Sequence, residues 1–462
     1  MKTKLSKRLI ALVLSVLFII AFGAIGLAAN TDDAWNNYNG VEDTTNAITT
    51  IGIAKQIVFI NAEDTDVREP NITYNYSIEK VTFTEAHPAA TILGRDLGDT
   101  YDITATVQEG VNAALSSQSV DVEFSDANFA NATADGDGTA CIKYATFTFD
   151  PTEFPGAGIY RYKITESVKN TSKTRAEVGV AQAATYSDTR YLDVYVRFDA
   201  DGEKEIYGFV LFESDDFDQD FDYNNTTTDL AKKSAGFVNT SDLSQGEDPA
   251  NVDVYTTQNL HIEKDVKGAI ADKTNYFPLT MTFTKGTGLT DNIKVDVDLS
   301  DATIAADDIT NTTVDGTEYS YIEMTNTAIS GTIKDSGTID FTGVPIGIKA
   351  GADDTNTTIS LTETNNTPNT YMVQANSLAD SSDANNVELL PEESVASNGT
   401  SSATDDQTFS DSKLSIYITN TLDEISPTGV VLYFAPYLLT LGVAVALIIG
   451  ARRFRRVRVE EE

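Results

Sequence analysis

Two lysines interrupt rows of apolar residues that a β-strand would place on one face. Lys55 falls among the alternating apolar positions of residues 51–59, and Lys264 falls among those of residues 260–266. Because burial of a lone ammonium costs several kcal/mol, each lysine must be paired, neutralised or extended towards water. Desolvation also lowers the pKa of a lysine, and the neutral amine that results is a nucleophile.

A carboxylate and an amide occupy matching positions further along each half of the chain. Glu166 and Glu363 each end a tripeptide x-Thr-Glu and share a strand face with apolar residues. Asn239 and Asn420 each stand two residues after an apolar residue of the same face. Taken singly, the lysines and glutamates are explained by ordinary salt bridges or by lysine side chains that point outwards. The order Lys, Glu, Asn occurs twice, on the first, middle and last predicted strands of each half, and every one of these residues lies on the inward face. This repetition favours two groups of side chains that react with each other.

The C-terminal segment has three consecutive parts: a short motif, an uncharged apolar run over 430–450, and a cluster of five arginines after it. The run is long enough to span a bilayer, and the arginines indicate the cytoplasmic side. The motif consists of Ile425, Ser426, Pro427, Thr428 and Gly429. From the apolar run alone, an ordinary single-span anchor would be the preferred interpretation.

The N-terminal segment predicts export. Residues 1–28 have a basic start, an apolar stretch and small residues at the end, as in a secretory signal peptide that is removed near Ala28. The mature chain of about 400 residues suggests two or three domains, and two fit the repeated pattern better. Only one cysteine, Cys141, is present, so no intrachain disulfide can stabilise the exported protein. The sequence gives no role for this thiol.

The composition excludes several classes of function. A formal charge of −38 repels nucleic acid and anionic membranes, so no nucleic-acid partner is expected. His87 and His261 are the only histidines, and neither has neighbours suited to a triad or a metal site. We therefore predict no cofactor, no metal and no enzyme of the Ser-His, Cys-His or zinc type. A glycosidase that uses only carboxylates stays open on composition.

The strand pattern predicts an all-β protein of two tandem sandwich domains. No long segment has helical periodicity, and β-branched and aromatic residues alternate between turns. The predicted organisation is a signal peptide (1–28), a flexible N-terminus (29–49), domain 1 (50–240), a linker (241–257), domain 2 (258–424) with an exposed polar loop (375–412), the motif (425–429), a transmembrane segment (430–450) and a basic cytoplasmic tail (451–462).

The chain resembles the major, or backbone, pilins of Gram-positive bacteria. The matching pieces are GIAKQI, the Tyr-x-Tyr-x-Ile-Thr-Glu element, FVNTSD, LHIEKDVKG, FTGVPIG, SLTET, YITN and SPTG, spread over almost the whole mature chain. The resemblance implies Ig-like, CnaB-type domains with internal Lys-Asn isopeptide bonds. It implies a bond from Lys55 to Asn239 assisted by Glu166, and one from Lys264 to Asn420 assisted by Glu363.

The same resemblance implies that a sortase cuts the chain between Thr428 and Gly429 and transfers the threonine carbonyl to an amine. The usual signal has Leu-Pro at its first two positions, whereas this chain has Ile425 and Ser426 with proline third. The departure raises the question of which sortase acts. The linking amine of the next subunit is expected at Lys232 or Lys233, which precede the last predicted strand of domain 1.

The sequence therefore predicts a structural shaft subunit of a cell-surface pilus, bound to the cell wall after transient membrane anchoring. Its expected partners are a pilus-specific or housekeeping sortase, other copies of itself and peptidoglycan, with minor pilins and a host ligand left open. The alternative is a monomeric wall-anchored adhesin with the same domains. A carboxylate-only hydrolase fits less well, because the notable glutamates have lysine and asparagine counterparts.

Overall fold

The computed structural model describes residues 49–83, 89–96, 99–133, 141–182, 186–212, 236–237, 252–314, 316–348, 355–378, 387–395, 399–409, 413–422, 440–441 and 443–448. Most of these lie in strands, which confirms the predicted all-β class. Buried and partly exposed side chains alternate along the strands. Residues 358–365, for example, bury every second side chain and leave the others partly exposed, as one buried face of a sheet requires.

The strands of the first half are β1 (Thr50–Ile60), β2 (Thr65–Arg68), β3 (Ile72–Lys80), β4 (Ala89–Asp96), β5 (Asp99–Glu109), β6 (Ser119–Phe124), β7 (Phe129–Ala132), β8 (Ile142–Thr148), β9 (Gly158–Val168), β10 (Val180–Gln182), β11 (Thr189–Phe198), β12 (Lys204–Phe212) and β13 (Gly236–Phe237). Three short 3-10 helices join them, at Asn112–Ala114, Pro151–Glu153 and Ala176–Val178.

The strands of the second half are β14 (Asp253–Lys267), β15 (Phe277–Thr284), β16 (Ile293–Ile304), β17 (Thr310–Val314), β18 (Thr317–Met324), β19 (Ala328–Pro345), β20 (Thr358–Asn365), β21 (Tyr371–Leu378), β22 (Val387–Val395), β23 (Thr400–Ala403), β24 (Gln407–Thr408) and β25 (Leu414–Thr421).

The buried apolar residues form two separate cores. One contains residues between Ile51 and Tyr255, and the other contains residues between Leu260 and Leu422. We refer to the parts of the chain around them as the first and second units. The division falls within β14, whose early residues pack with the first core and whose later residues pack with the second.

Parallel pairing joins the first strand of each unit to a strand that comes late in the chain. β1 pairs in parallel with β13 at Ala54–Lys55 and with β14 from Ile57 to Ile60. β14 in turn pairs in parallel with β25 from Leu260 to Lys267. Among the described strands, the other ladders are antiparallel except that of β5 with β9. β14 therefore lies beside the first strand of the first unit and the last strand of the second.

A buried polar network fixes the point where β14 passes between the cores. Residues 257–260 are buried in succession, and the register of β14 against β19 shifts there. Oδ1 of Asn259 accepts from Nδ2 of Asn61 and from the backbone N–H of Gly343, both at 3.0 Å. Nδ2 of Asn61 also donates to Oγ1 of Thr257 at 3.0 Å. The shift lets β14 turn odd-numbered side chains into the first core and even-numbered ones into the second.

Two segments differ from the sequence prediction. β22, β23 and β24 lie within 375–412, where we predicted an exposed loop, because β22 pairs with β21 and the two short strands pair with β20. β14 begins at Asp253, inside the predicted linker 241–257.

Several predictions fall outside the described residues: the signal peptide, most of the flexible N-terminus, the motif at 425–429, most of 430–450, and the basic tail. Helical residues occur at 440–441 and 443–448. None of the described helices is both long enough and apolar enough to cross a membrane.

The Asn259 network generates a stability prediction. We expect Asn259→Ala to lower the free energy of unfolding by about 1–3 kcal/mol, because the buried Gly343 N–H and the Asn61 amide lose their acceptor. Urea denaturation followed by tyrosine fluorescence measures the change. The control Asn311→Ala removes an exposed amide that accepts from Ser320, and we expect it to change stability by less than about 0.5 kcal/mol. Equal effects of the two substitutions would contradict the role of the network.

Candidate functional site

The second unit places a lysine, a glutamate and an asparagine together inside its core. Lys264 lies in β14, Glu363 in β20 and Asn420 in β25. Nζ of Lys264 donates to Oε2 of Glu363 at 2.6 Å, and Nδ2 of Asn420 donates to Oε1 of the same carboxylate at 2.5 Å. The parallel register sets Asn420 opposite Val266, so that it is the diagonal neighbour of Lys264. One carboxylate therefore holds both an amine and an amide.

Burial changes the electrostatics of these groups. Lys264 has no exposed surface, and its Nζ lies 4.9 Å from the centre of the Phe277 ring. This desolvation lowers the pKa of Lys264 below its ordinary value, although the charge of Glu363 opposes the shift. Oδ1 of Asn420 is buried and accepts no hydrogen bond within the described part of the chain. The amide carbonyl can therefore accept a proton or a new donor.

The first unit contains a related cluster around Lys55, in β1. Nζ of Lys55 donates to Oε1 of Glu166 at 3.1 Å, to the hydroxyl of Tyr186 at 3.0 Å and to Oδ2 of Asp253 at 2.9 Å. The hydroxyls of Tyr76 and Tyr186 donate to the Glu166 carboxylate. The Lys55, Glu166 and Asp253 side chains have no exposed surface. This lysine therefore contacts two buried carboxylates.

An arginine balances the second carboxylate. Nε of Arg175 donates to both oxygens of Asp253, at 3.0 and 2.9 Å, and Nη2 donates to Oε1 of Glu166 at 2.8 Å. The Tyr74 hydroxyl adds a hydrogen bond to Oδ2 of Asp253 at 2.5 Å. Burial favours the protonated form of Asp253, but the charges of Lys55 and Arg175 outweigh it and hold the pKa of this carboxyl below its ordinary value. The cluster thus has two cations and two anions.

The tyrosines around these carboxylates serve as hydrogen-bond donors. Burial raises the pKa of Tyr74, Tyr76 and Tyr186 well above the usual value, and the neighbouring carboxylates raise it further. All three phenols therefore keep their protons at neutral pH. Each hydroxyl can satisfy a buried carboxylate oxygen without adding charge.

The structure brings together five of the six residues that the sequence singled out for internal chemistry. Lys55 contacts Glu166, and Lys264 and Asn420 both contact Glu363. Asn239 lies outside the described residues, as do Lys232 and Lys233 and the motif at 425–429. β13 pairs with β1 only at Ala54 and Lys55, and from Ile57 onwards the parallel neighbour of β1 is β14, which begins at Asp253.

Sequence reasoning missed Asp253, Arg175 and the three tyrosines. The signal for Asp253 was its place two residues before Tyr255, on the inward face of the segment that we assigned to a linker. Arg175 gave no such signal, because it lies beside a 3-10 helix and reaches the cluster through tertiary structure alone.

Two other residues of chemical interest lie outside both clusters. His261 Nδ1 lies 2.6 Å from Oδ1 of Asp340, and its Nε2 lies 3.5 Å from the Glu263 carboxylate. The hydrogen bond to Asp340 is the main cause that raises the pKa of the imidazole. Cys141 is a buried free thiol whose pKa burial raises strongly, so little thiolate forms at neutral pH.

The chain is similar over most of its length to solved structures of major pilins. A major pilin from Streptococcus pyogenes has 17% sequence identity and a TM-score of 0.36, with 82% of this chain and 100% of that chain covered. The T-13 major pilin from S. pyogenes has 18% identity and a TM-score of 0.34, with 82% of this chain and 98% of that chain covered. A pilus-presented adhesin has 10% identity and a TM-score of 0.21, with 81% and 100% covered.

No protein-family model matches the chain, and no curated protein does. The likeness to the solved structures concerns the fold. What the chain does must therefore be inferred from the two buried clusters.

The lowered pKa of Lys264 generates a prediction about pH. In Asn420→Ala, the amide that the sequence predicts as the acceptor is absent, so Lys264 remains an unmodified amine. Its folded-state pKa lies below the ordinary 10.5, so between those two values the unfolded chain binds more protons than the folded chain. We therefore expect the free energy of unfolding of this variant to rise with pH across that window.

Urea denaturation at several pH values measures this slope. The control is the double variant Asn420→Ala, Lys264→Met, which has no amine at this position and should show a smaller rise. Superimposable pH profiles of the two variants would show that Lys264 titrates normally in the folded protein.

Proposed function

We propose that this protein is a structural shaft subunit of a covalently polymerised surface pilus, stabilised by internal isopeptide bonds and joined by a sortase through Thr428 to a lysine of the next subunit. The observation that supports this most directly is the buried triad of Lys264, Glu363 and Asn420, in which one carboxylate contacts both the amine and the amide. Such a triad can carry out a single condensation between two side chains of the same chain.

The proposed reaction in the second unit joins Nζ of Lys264 to Cγ of Asn420. The ammonium first gives a proton to Glu363, which leaves a neutral amine and a neutral acid. The amine attacks Cγ while Glu363 protonates the amide group, and proton exchange through Glu363 allows ammonia to leave. The products are a Lys-Asn isopeptide bond, one ammonia and a protonated Glu363, so atoms and charge balance.

Such a bond would close a loop between β14 and β25 of about 150 residues. By analogy with a disulfide of that loop length, it would remove about 5 kcal/mol of unfolded-state entropy. A reductant would not cleave it. Exported proteins often resist unfolding because they contain disulfides. This chain has one cysteine and a predicted sorting motif, and the isopeptide bond would give it the same resistance to unfolding.

The mass of the purified chain tests the condensation. We expect peptide mapping of the wild type to show Lys264 joined to Asn420 with the loss of one ammonia, about 17 Da. Glu363→Gln should leave both residues unjoined, because glutamine cannot shuttle the proton. The control Glu318→Gln changes an exposed glutamate of β18 and should keep the bond. An unmodified Lys264 in the folded wild type would refute the proposal for this unit.

Polymerisation is tested on the producing cells. We expect an SDS-resistant ladder of wall-released protein, with Thr428→Ala and the double variant Lys232→Arg, Lys233→Arg each reducing it to a single subunit. The exposed Lys267→Arg is the matched control and should keep the ladder. A single band from the wild type would instead support the alternative function, a monomeric wall-anchored adhesin with the same internal bonds.

A further inference from the structure

The acceptor for Lys55 can be identified by comparing strand registers in the two units. In the second unit, Asn420 lies opposite Val266, two residues after the reacting lysine, on a parallel neighbouring strand. In the first unit, the residue opposite Ile57, two residues after Lys55, on a parallel neighbouring strand is Asp253. Asp253 therefore stands to Lys55 as Asn420 stands to Lys264.

We propose that Lys55 forms its internal isopeptide bond with Asp253, in place of the asparagine that the sequence predicted, and that the first unit is therefore bonded to the first strand of the second. This inference rests on the proposed function and assigns the acceptor of one of its two bonds. Nζ of Lys55 and Oδ2 of Asp253 are 2.9 Å apart, and both side chains are fully buried.

The contacts around Asp253 suit a condensation in which the carboxyl group loses an oxygen. Oδ2 receives hydrogen bonds from Lys55, Tyr74 and Arg175, and it is the oxygen that leaves. Nε of Arg175 lies 3.0 Å from Oδ1, where negative charge develops when the amine attacks Cγ. Glu166, at 3.1 Å from Nζ, accepts the proton that the amine gives up after attack.

The step balances without an external reagent. One proton moves from the Lys55 ammonium to Oδ2 of Asp253, which converts the ion pair into an amine and an acid. Nζ then bonds to Cγ, and a second proton passes through Glu166 to the Oδ2 hydroxyl. Water leaves, Oδ1 becomes the amide carbonyl oxygen, and the third proton stays on the amide nitrogen. Glu166 ends as it began, paired with Arg175 at 2.8 Å.

The bond would place both internal links on one strand. Asp253 begins β14 and Lys264 lies eleven residues further along it. Tension that reaches Lys55 would pass through the amide into β14, and from Lys264 through the second amide into β25. If Lys55 were linked to Asn239 instead, tension would have to pass from one cross-linked unit to the other through the backbone of residues 240–252.

Peptide mapping of the full chain tests the assignment. Glu247 lies between Asn239 and Asp253, so cleavage after glutamate separates the two candidate acceptors. We expect a peptide that contains Lys55 joined to one that contains Asp253, with the loss of one water, about 18 Da. The link should disappear in Asp253→Ala and persist in the matched control Asn239→Ala. A link to Asn239, or a free Lys55, would overturn the inference.

A second variant keeps the test decisive if Asp253→Ala does not fold. Asp253→Asn differs from the wild type by about 1 Da before reaction, but loss of ammonia gives the same cross-linked product as loss of water from the wild type. We therefore expect linked peptides of identical mass from the two proteins. A persistent difference would show that position 253 has not reacted.

The link between Lys264 and Asn420, read in the same digests, separates the two proposals. If it is present while Lys55 is free or bound to Asn239, only the assignment of Asp253 is wrong. If no internal link is found at either lysine, the proposed function itself fails.

Discussion

The desolvation of two lysine ammonium groups is the constraint on which the rest of the structure depends. Lys55 and Lys264 each occupy a position that a strand would normally give to an apolar residue, and both have no exposed surface. An unpaired buried charge of this kind would cost more than a small unit can offset. The surrounding carboxylates, tyrosines and amide are therefore requirements of the fold as much as parts of a reaction.

Parallel pairing explains why the first strand of each unit carries the lysine. A strand that runs parallel to β1 or β14 must come from a distant part of the chain, because a short turn cannot reverse it. Each proposed acceptor therefore lies far from its lysine in sequence while the side chains lie close in space. A covalent bond at this place closes a long loop, which is where a cross-link restricts the unfolded chain most.

Period-two alternation was enough to find most of the second cluster from the sequence, because Lys264, Glu363 and Asn420 each sit in a strand with a clean apolar face. It also found Lys55 and Glu166. It could not find Arg175, whose contact with the cluster depends on tertiary packing beside a short 3-10 helix. The polar composition of 375–412 predicts a loop, yet β22 to β24 form there, because strand pairing with β20 and β21 overrides local propensity.

The difference in composition between the two clusters follows from charge balance. An amide acceptor adds no charge, so in the second unit one carboxylate is enough to neutralise Lys264. A carboxylate acceptor adds a negative charge to a site that already holds Glu166, and two buried anions beside one cation would be strongly unfavourable. Arg175 restores neutrality and contacts both carboxylates. In the proposed amide, Lys55 and Asp253 would have lost their charges, and the remaining pair of Arg175 and Glu166 would be neutral without any further proton.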